Sequence, residues 1–168
     1  MWKVIAADLP LGLAVPDGVE GRANFEAVAQ GDPGAPLGRE PQIAELLRFV
    51  KHRRITGTLW LTADVHHTSA RHYEPSRAAF KDFEPFWEFV SGPLNAGAFP
   101  AGALDGTFGP NRVFVKAPAA SNVSPAQGYQ FFGEVGIDGD SGELTVRLRE
   151  WDGTVLFTQV LRPGLAGQ

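Results

Sequence analysis

Cysteine is absent from the 168-residue chain. Disulfides and thiolate metal sites are therefore excluded, and the sequence gives no sign of a redox compartment. A charge of one sign is lacking too: 15 Lys and Arg against 19 Asp and Glu leave a formal net charge of −4. No general basic field exists to attract nucleic acid or an anionic membrane. No apolar run approaches the roughly 20 residues needed to span a bilayer. The opening Met1-Trp2-Lys3-Val4-Ile5-Ala6-Ala7-Asp8 lacks signal-peptide architecture. Neither phosphate-binding glycine pattern, G-x-x-x-x-G-K-[ST] or G-x-G-x-x-G, occurs. There is also no internal repeat and no low-complexity tract.

What is present fits one globular domain. The length supports a single core, and 43% hydrophobic with 20% charged residues is ordinary for a soluble fold. Glycine and proline are in excess, 20 and 13 residues. They follow no period, so they predict long ordered loops between short elements.

Along the chain, Trp2–Ala7 is an apolar run that predicts a buried strand. Residues 9–38 carry turn signals throughout, among them Pro16-Asp17-Gly18 and Gly31-Asp32-Pro33-Gly34, and predict a long loop. A helix is expected from Pro41, with Ile43, Leu46, Leu47 and Val50 on one face and His52, Arg53 and Arg54 at its end. The run from Ile55 to Ala63 predicts a strand buried on both faces. Residues 68–82 are mixed and polar, with no element assigned. Trp87–Ser91 predicts a strand, 92–111 a loop and Asn111–Lys116 a strand. Tyr129–Ile137, the segment from Leu144 and Thr154–Leu161, joined by turns at Asp138–Gly142 and Trp151–Gly153, predict an antiparallel meander. Phe83, Phe86, Trp87 and Phe89 are expected in the core.

The candidate chemistry centres on Asp64-Val65-His66-His67, with His72 close behind; three of the four histidines lie within seven residues. Aspartate and neutral histidine suit iron, zinc and manganese, and the carboxylate suits calcium. A strand end is where ligands gather in open α/β sheets. On an extended segment Asp64 and His66 would point to one side and His67 to the other, leaving His67 as a supporting or structural group. The other reading is that Asp64 caps a turn and the histidines are surface residues. A Ser/His protease reading of Gly139-Asp140-Ser141-Gly142 is set aside, because that segment reads as a hairpin turn. Arg39-Glu40 either contacts an anion or is a solvated helix start. Asn122-Val123-Ser124 is a formal glycosylation sequon, a tripeptide common by chance.

Several stretches together resemble PhoD-like alkaline phosphatases: Trp2–Asp8, Gly31-Asp32-Pro33-Gly34-Ala35-Pro36-Leu37-Gly38-Arg39-Glu40, Leu61-Thr62-Ala63-Asp64-Val65-His66, and Trp87-Glu88-Phe89-Val90-Ser91-Gly92-Pro93-Leu94-Asn95-Ala96-Gly97. The resemblance runs in order along nearly the whole chain. It implies an α+β, β-rich fold, the C-terminal half of a metallophosphoesterase αββα sandwich with mixed sheets and long Gly/Pro-rich loops. It implies hydrolysis of a phosphomonoester or phosphodiester small molecule with iron and calcium, outside the cell or in the periplasm. Carried over residue by residue, it makes Asp64 and His66 metal ligands and Arg39 a candidate phosphate contact. Ala63 stands where the family often has glycine, a tolerable change unless that position needs a positive φ. The family's other ligand segments, a Cys or equivalent, an Asp-X-X-Tyr pair and a Trp-Asp-Asp-His-Glu-type stretch, have no counterpart here. The expectation is that residues 1–168 open within the domain and supply part of the metal site. An exposed sheet edge would then favour a homo-oligomer or a complementary chain, and a non-catalytic partner-binding module is the alternative.

Overall fold

The structure, a computed structural model, describes residues 1–18 and 24–164. The chain forms β1 (Lys3–Ala6), α1 (Glu40–His52), β2 (Thr58–Thr62), β3 (Thr68–Tyr73), β4 (Phe86–Val90), β5 (Pro110–Lys116), β6 (Phe131–Ile137), β7 (Leu144–Glu150) and β8 (Val155–Leu161). One sheet is mixed, in the order β1-β2-β4-β3-β5; the other is the antiparallel β6-β7-β8. β1, β2 and β4 are parallel, and β3 runs antiparallel to both of its neighbours. The fold is α+β and β-rich, as expected.

Alternation along the central strands creates two cores. Trp60, Tyr73 and Phe86 point to the helix side and pack with Ala44, Leu47, Phe83 and Phe108. Leu59, Ala70, Trp87 and Phe89 point the other way, onto Leu144, Val146, Leu148 and Leu161 of the antiparallel sheet. Each such side chain contributes about 1.5–3 kcal/mol on leaving water. The Trp2 indole N–H donates to the Gly142 carbonyl at 2.8 Å, tying the start of β1 to the β6–β7 turn.

Four expectations are corrected. β1 is an edge strand with alternating partial exposure, so Trp2–Ala7 is not a buried strand; Val4 is 47% exposed. Residues 68–82 contain β3, which lies inside the mixed sheet between β4 and β5. Its Thr-Ser-Ala-Arg-His-Tyr sequence is polar yet mostly buried, with Thr68, Arg71 and Tyr73 hydrogen-bonded inside the fold. Glu40 is not a solvated helix start: it is fully buried and accepts from the backbone N–H groups of Gln30 and Leu37. Leu46 sits at the rim of the helix face rather than inside it. The loop expected over 9–38 forms only isolated bridges where it is described; 19–23 lie outside the described residues.

Candidate functional site

Because β1, β2 and β4 are parallel, their carboxyl ends share one edge. The Ala63 N–H donates to the Asp8 carbonyl at 2.9 Å, and the Ser91 N–H donates to the Thr62 carbonyl at 3.1 Å. Just beyond β2 the backbone folds into a tight turn, with the Val65 N–H on the Ala63 carbonyl at 2.8 Å. Asp64 and His66 both take left-handed φ values, 62° and 55°. The expected extended segment is therefore wrong, and side-chain alternation does not bring the pair together. The turn does, since both residues line the same two clefts. Ala63 is not among the positive-φ residues, so alanine is unstrained there. Left-handed conformation costs a non-glycine residue roughly 1–2 kcal/mol, and such strain clusters at functional sites.

His66 is oriented by its neighbours. Its Nδ1 lies 2.5 Å from the Gly97 carbonyl, which can only accept, so Nδ1 carries a proton and, in the neutral ring, Nε2 is the atom with the lone pair. The Phe99 N–H donates to the His66 carbonyl at 3.1 Å, and the Phe99 ring meets the imidazole edge-on at 5.5 Å. The loop carrying Gly97 is fixed by the buried Gln130. Its Oε1 accepts from Asn95 and Ala96 N–H, and its Nε2 donates to the Ala96 carbonyl. Gly97 packs closely on Asn122: a Cβ there would lie 2.0 Å from Asn122 Oδ1, so that side chain would have to move.

His67 faces inward and is fully buried. Its Nδ1 donates to the Val65 carbonyl at 3.0 Å, and its Nε2 accepts from Arg71 Nη2 at 3.3 Å. Burial, reinforced by the Arg71 charge, lowers its pKa to about 4 and keeps the ring neutral. Arg71 in turn pairs with Glu88 at 3.1 Å. Glu88 accepts from the Tyr73 hydroxyl at 2.7 Å and from the Leu11 N–H at 2.8 Å, and Tyr73 accepts from the Gly12 N–H at 2.9 Å. Burial and the Glu88 charge push the Tyr73 phenol well up. This network ties the turn, the sheet and the loop after β1 into one body. The sequence does not mark Tyr73 or Glu88 as part of the site's support: Glu88 reads there as an ordinary strand residue and Tyr73 falls in a stretch with no assigned element.

The remaining candidates lie elsewhere. His72 packs at a tilt against Trp87, ring centroids 4.8 Å apart, and lies 3.6 Å from Glu74. His52 meets Asp82 at the helix end, 3.3 Å away. Arg39 directs Nη1 at the Phe25, Glu26 and Ala27 carbonyls and lines neither cleft beside Asp64. Ser141 sits in the β6–β7 turn, where its hydroxyl and N–H donate to Asp138.

Asp64 and His66 form a ridge between two clefts. One, about 430 Å³, runs between residues 13–16 and 99–102. The other, about 410 Å³, opens toward Ser91–Leu94 and Phe131–Gly133.

A mixed sheet with an Asp/His pair on the carboxyl edge of its parallel strands defines the class: an α+β protein with its candidate chemistry at the strand ends. The chain belongs to the PhoD-like phosphatase family, whose family model matches residues 1–148, from β1 through most of β7. No curated protein and no solved structure matches the chain. The family is metal-dependent, which makes the donor set the point to test. Among the described residues no three His, Cys, Asp or Glu side chains are grouped to hold a metal ion. Zinc needs about four ligands and calcium six to eight. Asp64 and His66 alone do not fit a self-contained centre.

Proposed function

We propose that the chain serves phosphoester hydrolysis and that Asp64 and His66 are two ligands of a metal centre completed by groups from a complementary chain or a second copy. The observation that carries this reading is the Gly97 carbonyl on His66 Nδ1. It commits the ring to the tautomer with a free Nε2 lone pair, in a turn that holds two left-handed residues over a pair of clefts. Iron and calcium are the metals the resemblance implies. Around them, this chain's residues orient: Gln130 and Gly97 hold His66, and His67 with Arg71 fixes the turn beneath it.

The donor count favours a second reading, a folded non-catalytic module with a vestigial site. Elemental analysis of the purified chain, beside hydrolysis of p-nitrophenyl phosphate and bis-p-nitrophenyl phosphate, separates the two. Near-stoichiometric iron or calcium and turnover, both lost in Asp64→Ala and His66→Ala, is the expected outcome for the first. Neither metal nor turnover, in a folded chain, overturns it in favour of the second.

A further inference from the structure

Beside the Asp64–His66 ridge lies a wall that the chemistry of metal and phosphate does not explain. Leu13, Ala14, Val15 and Pro16 face Phe99 and Pro100 across the larger cleft. The wall is built, not incidental. Leu13 bridges to Leu104, the Ala14 N–H donates to the Ala103 carbonyl at 3.0 Å, and the Glu26 N–H donates to the Val15 carbonyl at 2.9 Å. The opposite side is tied to the site by the Phe99 N–H on the His66 carbonyl. Gly102 allows the two sides to approach: a Cβ there would sit 3.2 Å from the Ala14 carbonyl.

Away from the Asp64–His66 edge, the described lining of this cleft does not suit an anion. Among the described residues that line it, the charged groups are Glu26 and, at the ridge, Asp64, with no Lys or Arg. A phosphate entering it would meet carboxylates and hydrocarbon. An uncharged organic group would bury apolar surface there, in a volume typical of small-molecule pockets. The Phe99 ring, 38% exposed and edge-on to the His66 imidazole, places apolar surface against the candidate ligand itself.

We infer that the cleft between residues 13–16 and 99–102 binds the organic group of the substrate, an aryl ester substituent, while the phosphoryl group lies at the Asp64–His66 ridge. The phosphoryl half of this assignment rests on the phosphoester reading above; the apolar half rests on the cleft alone. The assignment makes Phe99 a specificity-determining residue and predicts a preference for apolar esters over methyl or glyceryl ones.

Amide chemical-shift titration of the full chain tests it with four probes: benzyl alcohol, phenylphosphonate, methylphosphonate and inorganic phosphate. Benzyl alcohol is expected to shift Val15, Phe99 and Gly102 saturably. Phenylphosphonate is expected to bind about tenfold or more tightly than methylphosphonate. Phe99→Ala, at a partly exposed position that leaves the core intact, removes most of that preference, and Phe99→Leu restores much of it. Asp64→Ala leaves the benzyl alcohol shifts in place. Aromatic probes that leave these amides unmoved, or move Ala96 and Phe132 of the other cleft instead, overturn the assignment. Equal affinity for the two phosphonates also overturns it. Hydrolysis without an aryl preference removes the cleft assignment and keeps the phosphatase reading. Benzyl alcohol seated in the cleft without any hydrolysis does the reverse.

Discussion

The two sheets of this protein bury themselves by different means. The antiparallel meander follows simple alternation, Leu144, Val146 and Leu148 inward and Thr145, Arg147 and Arg149 outward, with its ion pairs in solvent. The mixed sheet buries polar groups as well as apolar ones. Arg71, Glu88 and Tyr73 are all inaccessible and are joined through the Glu88 carboxylate on the helix side. The meander is a wall; the mixed sheet is a wall that also holds a turn in place. A buried ion pair contributes little net stability but costs heavily when half of it is removed, which is how it can fix a unique arrangement next to a site.

The sharpest way to break this contrast is to remove one partner. Glu88→Ala leaves Arg71 buried without its counter-charge and takes the acceptor from Tyr73 and the Leu11 N–H. We expect a loss of about 3–5 kcal/mol in urea unfolding. The double variant Arg71→Met with Glu88→Leu should recover much of it, because the desolvation cost disappears with the charges. A loss under about 1 kcal/mol for Glu88→Ala would show that the network is not holding the sheet. In the meander the equivalent damage is a cavity. Leu148→Ala, at a fully buried position, should cost about 3 kcal/mol by the same measurement, with no recovery from any charge change.

A smaller effect, of opposite sign, is expected at the site. Asp64→Gly relieves a left-handed φ of 62° and should raise stability by about 1 kcal/mol while, on the proposed reading, removing a metal ligand. A destabilised Asp64→Gly protein would mean that the side chain holds the turn instead of being strained by it.

The same contrast decided what could be read from sequence. The meander, its turns and the helix were legible because alternation and the 3.6-residue period survive wherever one face is wet. β3 was not, because Arg71 and His72 read as surface residues until Glu88 and Trp87 are placed opposite them. The family segment points to Asp64 and His66 as candidates, but the geometry of the turn that carries them is not legible there. Left-handed φ at two non-glycine residues carries no sequence signal of its own. Gln130 was equally invisible, since its role depends on a loop more than thirty residues away.

The finest test of the comparison uses two carboxylates that titrate in opposite senses. Glu134 lies on the outer face of the meander, where hydrogen bonds from Arg149 and then Arg147 lower its pKa below 4.5. A lowered folded pKa means that the pairing stabilises above the unfolded value and is lost as pH falls through the folded one. Glu40 is buried at the start of α1, where burial, aided by the Asp105 charge, raises its pKa above 4.5 despite the N–H groups of Leu37 and Gln30. A raised folded pKa means that its contribution is full below 4.5 and is lost as pH rises through the folded value. Denaturation midpoints measured from roughly pH 3 to pH 8 should therefore respond to the two substitutions at opposite ends. Glu134→Gln should flatten the acid limb only, and Glu40→Gln the limb above it. About 1 M salt, with its Debye length near 3 Å, should erase the Glu134 effect and spare that of Glu40. If both substitutions act on the same limb, the distinction between a solvated meander and a polar-buried mixed sheet is wrong at its edges, and Glu40 is reached by water in the folded chain.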